Sequence, residues 1–113
     1  MYAEKLFEDI KDICASTPTV RSDRQRKDNI YRAIKARVAY YKELAESDRK
    51  KTGWGGSYNR PSDDEIKIHL LGSMVVKNPI TDSLSSQEFI NYILDVTSMA
   101  MTGVGTNGTK YNN

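Results

Sequence analysis

One histidine, His69, and one cysteine, Cys14, set a ceiling on the chemistry open to this chain. Zinc centres take three or four side-chain ligands of these types, so a Cys/His metal site cannot be assembled from them. A lone cysteine also excludes an internal disulfide framework and suits a reducing compartment. His69 stands among Ile68, Leu70 and Leu71, which predicts a hydrogen-bonded core or boundary residue, not a general base. The adjacent carboxylates Asp63, Asp64 and Glu65 resemble an acid/base cluster. They follow Ser62 directly, however, and Ser62 with Glu65 three residues on is the capping-box pattern that opens a helix. The pairs Glu4/Glu8 and Asp9/Asp12 have no evident apolar wall to shift a pKa. Gly53-Trp54-Gly55-Gly56 lacks the Lys-Ser/Thr and the preceding strand of a phosphate-cradling loop, and no serine has a nucleophile-elbow context. The expectation is a non-enzyme with no catalytic residue, metal ligand, cofactor or evident small-molecule substrate.

Binding chemistry is better represented. From Arg21 to Lys51 there are eleven basic residues against five acidic ones, a local charge of +6 in a chain whose formal net charge is +2. On a helical projection Arg21, Arg24, Arg32, Lys35, Lys42, Arg49 and Lys50 fall broadly opposite an apolar seam. Such a stripe can hold the phosphates of a nucleic acid or an acidic protein. It can also be a solvated face, since Asp28 lies four residues from Arg24 and Arg32, and Glu46 four from Lys42 and Lys50. A second candidate is the segment 52–61, where Trp54, Tyr58 and Arg60 stand among glycines. These residue types dominate interface hot spots and stack on single-stranded bases, while Trp54 could instead close the end of a helical bundle.

The elements that would position these residues are helices. Ile30, Ile34, Val38, Tyr41 and Leu44/Ala45 recur at steps of three and four, and Ser22 with Gln25 has the capping-box spacing. The Gly-rich stretch after Lys51 ends the run, which predicts one long basic helix over 22–51. Before it, Ala3, Leu6, Phe7, Ile10, Ile13 and Cys14 predict a helix over 2–15. The outward ladder of that first helix, Glu4, Glu8 and Asp12, is the nearest source of charge to neutralise the basic stripe. Ser62/Glu65 opens a third helix over 62–77. Its Gly72 is best explained by a close helix approach. A third capping box, Ser85/Glu88, opens a fourth helix over 86–102, with Leu84 and Phe89 as a hydrophobic staple.

The predicted fold is therefore all-α: a small four-helix domain, residues 1–102, organised around the long basic helix, with a flexible tail over 103–113. With 38% hydrophobic and 28% charged residues the composition is that of an ordinary soluble domain. No secretory h-region and no stretch of 18 apolar residues is present, so a cytoplasmic, membrane-free protein is expected. A helix-turn-helix is disfavoured by the long 78–85 connection and by the few base-reading side chains after it. The leading expectation is a non-catalytic interaction protein: a binding, inhibitory or assembly subunit of the phage or plasmid accessory type. Apolar residues spread over more than one face of the last two helices suggest a homo-oligomer, with Met99, Met101 and part of the third helix at the contact. The alternative is a nucleic-acid-binding accessory protein that uses the stripe and the aromatic loop.

Overall fold

A computed structural model describes residues 1–18, 22–52, 61–76 and 79–102 of the chain. Among them are four main helices, α1 (Tyr2–Ser16), α2 (Asp23–Thr52), α3 (Asp63–Ser73) and α5 (Ser86–Thr102), with the single turn α4 (Pro79–Asp82) between the last two. The described residues contain no strand. None of the helices is long and apolar enough to cross a membrane.

Two of the three capping boxes close in both directions. Ser62 Oγ accepts from the Glu65 N–H at 3.1 Å and the Glu65 carboxylate accepts from the Ser62 N–H at 2.8 Å. The Ser85/Glu88 pair does the same at 3.2 and 2.9 Å. At the start of α2 only the forward bond forms, from Gln25 N–H to Ser22 Oγ at 3.3 Å, while the Gln25 amide donates to Asn29. Each α2 turn adds about 5.4 Å, so its 30 residues run about 45 Å and span the other helices.

The helices alternate in direction. Asp9 of α1 accepts a hydrogen bond from the Tyr41 hydroxyl at 2.8 Å, and Tyr2 donates to Asp48, which makes α1 antiparallel to α2. Arg49 meets Glu65 and Val38 meets Gly72, so α3 is antiparallel to α2 as well. The Ser86 N–H donates to Asp23 at 3.0 Å, which sets the start of α5 beside the start of α2. The result is an up-down-up-down bundle. Aspartates hold both pairs of helix starts together: Asp23 serves α5, and Asp64 of α3 accepts from the backbone N–H groups of Tyr2 and Ala3 at 2.9 and 2.8 Å. Met1, at the N-cap of α1, makes no side-chain cap, so Asp64 satisfies donors that the local sequence leaves open.

One core joins the four helices: Ala3, Leu6, Ile10 and Cys14 of α1, Ile30, Ile34, Val38, Tyr41 and Ala45 of α2, Ile68 and Leu71 of α3, and Phe89, Ile90 and Ile93 of α5. The seam anticipated for the long helix is thus the buried one. Gly72 is a point of close approach, since a Cβ built there would stand 2.9 Å from Val38 Cγ1. Two boundaries differ from the expectation. α3 ends at Ser73, not at residue 77, where the Val75 N–H turns to the Gly72 carbonyl at 3.3 Å. The connection expected as plain loop contains α4, whose carbonyl end is held by Lys27.

Candidate interaction surface

The basic residues of α2 divide by the helix face they occupy. Arg24, Arg32, Lys35, Lys42 and Lys50 are exposed, as the projection requires, while Arg49 is half-buried. The Arg49 guanidinium lies 3.1 Å from the Glu65 carboxylate, and Lys50 pairs with Glu46 at 3.0 Å. Lys35 lies over the Tyr31 ring, 5.7 Å from its centroid. Arg21 lies outside the described residues, as do Trp54, Tyr58 and Arg60 and the tail 103–113.

Three further α2 cations meet neighbouring helices, Lys27 and Arg26 half-buried and Arg37 exposed. Lys27 spends its ammonium on the carbonyls of Thr81, Asp82 and Leu84, at 3.0, 3.0 and 2.7 Å. Arg26 donates to Ser86 Oγ at 3.4 Å. Arg37 lies 3.9 Å from Asp9. Much of the local charge excess is therefore structural, and the helical projection alone gives no sign of the Lys27 clamp because its three acceptors are backbone atoms more than fifty residues away.

Among the described residues the α1 ladder makes no ion pair with the stripe. Glu4, Glu8 and Asp12 are exposed, and Glu8 pairs with Lys11 of its own helix at 2.9 Å. The acid that faces α2 is Asp9, because α1 meets α2 along the edge that carries Tyr2 and Asp9. A ladder at steps of four lies opposite Leu6, Ile10 and Cys14, which are buried.

α3 carries apolar residues that its own domain leaves uncovered. Ile68 and Leu71 are fully buried, whereas Ile66 and Leu70, four residues apart on the outer face, are 48% and 42% exposed. His69, expected in the core or at its boundary, is exposed beside them. Period 3.6 turns Glu65, Ile68 and Leu71 inward, and His69 falls outside that arc. Between this ridge and α2 runs a groove of about 300 Å³, lined by Lys42, Glu46 and Arg49 on one wall and Pro61, Glu65, Ile68 and His69 on the other. Burial alone would push the Glu65 carboxyl up, but the Ser62 N–H and the Arg49 guanidinium outweigh it and hold the group below the usual range. The two methionines are less open than the α3 pair. Met99 is half-buried and Met101 packs against the core.

A second cleft, about 350 Å³, lies where α2, α4 and α5 meet and is lined by Arg24, Lys27, Asp28, Tyr31, Thr81, Asp82 and Phe89. Cys14 is buried, and the loss of water pushes its thiol up to about 11, far from thiolate reactivity at neutral pH. Among the described residues no three potential metal ligands gather. The chain matches no known family model, curated protein or solved structure.

Proposed function

We propose that the protein is a non-catalytic interaction module that docks another protein chain on the face formed by α2 and the outer side of α3. The observation that carries this reading is the exposure of Ile66 and Leu70, 48% and 42%, on a helix whose opposite face is already buried. Isolated exposed apolar residues are ordinary on soluble proteins. Two bulky aliphatics one turn apart, beside a groove with a polar rim, have the layout of an interface: an apolar centre with charges at its edge. Leu70→Glu should weaken partner binding by about 2 kcal/mol or more while leaving the melting temperature within a degree or two, since the side chain fills no core site. Binding that is indifferent to this substitution would reject the face.

A second reading, nucleic-acid binding along α2, is favoured by one observation: the exposed cations Arg24, Arg32, Lys35, Lys42 and Lys50 are not covered by the acidic ladder of α1. Four or five phosphate contacts would make duplex affinity fall with log salt at a slope of about −4. Retained binding at physiological salt that is lost in an Arg32→Glu/Lys35→Glu variant supports it, and absence of binding there removes it.

A further inference from the structure

The charges beside the exposed α3 pair are of both signs, which bears on what could occupy the face. Lys42, Arg49, Lys50 and Lys51 stand against Glu43, Glu46 and Glu65 on the groove and the adjoining face of α2. A strongly acidic partner would meet Glu43 and Glu46, and a basic one would meet Lys42 and Lys50. A surface that presents both signs beside an apolar centre is suited to a copy of itself, because a two-fold contact sets the same patch against itself in reverse order.

The register supports that choice. α2 and α3 are antiparallel, with Arg49 beside Glu65 and Val38 beside Gly72, so the level of Ile68 falls between Lys42 and Glu46. Ile66 and Leu70 lie two residues either side of Ile68. Lys42 and Glu46 lie two residues either side of Leu44. The apolar pair and the charge pair therefore share one level, a line drawn across both helices.

We propose that a second copy of this chain covers the face, related by a two-fold axis that crosses α2 and α3 at that line, so that Ile66 packs on Leu70 of the second copy and Lys42 meets its Glu46. The axis brings each α3 antiparallel to its counterpart and does the same for the C-terminal half of α2. Arg24, Arg32 and Lys35 fall beyond the overlap and stay in solvent. The α1 ladder cannot substitute as occupant, because Glu4, Glu8 and Asp12 offer charge, and the apolar residues between them, Leu6, Phe7 and Ile10, are buried or half-buried and not exposed to cover Ile66 and Leu70. Lys42 has no ion-pair partner within its own chain among the described residues, and the second copy supplies one.

This inference rests on the interaction reading above and is tested on the full chain by size exclusion with light scattering from micromolar to hundred-micromolar protein. The expected mass is twice 12.8 kDa. Leu70→Glu, Lys42→Glu and Glu46→Lys should each weaken the dimer at least tenfold, and the double variant Lys42→Glu/Glu46→Lys should restore it, since the swapped charges meet again across the axis. Lys42, Glu46 and Leu70 are all exposed, and circular-dichroism melts check that each variant folds. A dimer unaffected by Leu70→Glu overturns the proposal, as does a double variant that stays monomeric. A wild-type monomer at every concentration overturns it too. In that last case a host protein that binds the wild type and not Leu70→Glu leaves the interaction reading standing, and the lack of any such protein removes both.

Discussion

Asp64 lies in the first turn of its own helix and caps another. Its carboxylate accepts the Tyr2 and Ala3 N–H groups at 2.9 and 2.8 Å, so one side chain of α3 closes the open start of α1 across more than sixty residues of sequence. Asp63, its neighbour, is exposed. Asp64→Ala should therefore cost about 1–2 kcal/mol, the range of a lost N-cap, and Asp63→Ala only a few tenths. Urea titration of the two variants compares them directly. Equal losses would show that the acids act only on the α3 dipole.

Gly72 and Val38 make a second long-range pair. Alanine at 72 should add about 1 kcal/mol through helix propensity, but its Cβ would stand 2.9 Å from Val38 Cγ1, and a β-branched side chain has few rotamers in which to retreat. Gly72→Ala should accordingly destabilise, by about 1–3 kcal/mol. In a Val38→Ala background the same change should cost nothing or stabilise. A double-mutant cycle reads the coupling, and additive effects would show that the helices part without strain.

Lys27 holds three backbone carbonyls at the end of α4 and before α5. Lys27→Met keeps most of the aliphatic stem and leaves those acceptors without the ammonium. A loss of about 2–4 kcal/mol is expected, with Arg24→Met close to neutral as the exposed control. Hydrogen exchange should quicken around residues 81–88 in the Lys27 variant before it quickens in the middle of α2.

Acid should loosen the bundle at its helix starts. The Ser86 hydroxyl and N–H lower the Asp23 carboxyl, and the Ser85 N–H and hydroxyl lower Glu88. Glu65 is raised by burial and lowered further by Ser62 and Arg49, with a net downward shift. Groups lowered in the folded state contribute stability above their unfolded pKa of about 4 and lose it as pH falls through the folded values. The urea midpoint should be flat from neutral pH to about 5 and fall below about 4. Glu65→Gln should shallow that fall, and an unchanged acid slope would remove Glu65 from the account.

How much of this was legible in the chain depends on how far apart the interacting groups lie. Ser62 with Glu65 and Ser85 with Glu88 are bonded within one helical turn, so spacing by itself determined those helix starts. The Ile30, Ile34, Val38, Tyr41 seam was equally plain, because period 3.6 places those residues on one side whatever they pack against. The all-α class and the long basic helix followed from such local rules. What tertiary structure decided was every pairing across the bundle. Spacing did not single out Lys27 among the eleven basic residues, and the carbonyls of Thr81, Asp82 and Leu84 gave it its place; Asp64 counted only with the acids of a helix start, and α1 gave it donors. Arg26 turned towards Ser86 on the same grounds. The α1 ladder read as the answer to the α2 stripe, and the rotation of α1 about its own axis gave that contact to Asp9 instead. The open face of α3 was the least legible of all. Both of its sides are apolar in sequence, and only the packing of the other helices determined that Ile68 and Leu71 lie inside while Ile66 and Leu70 face out.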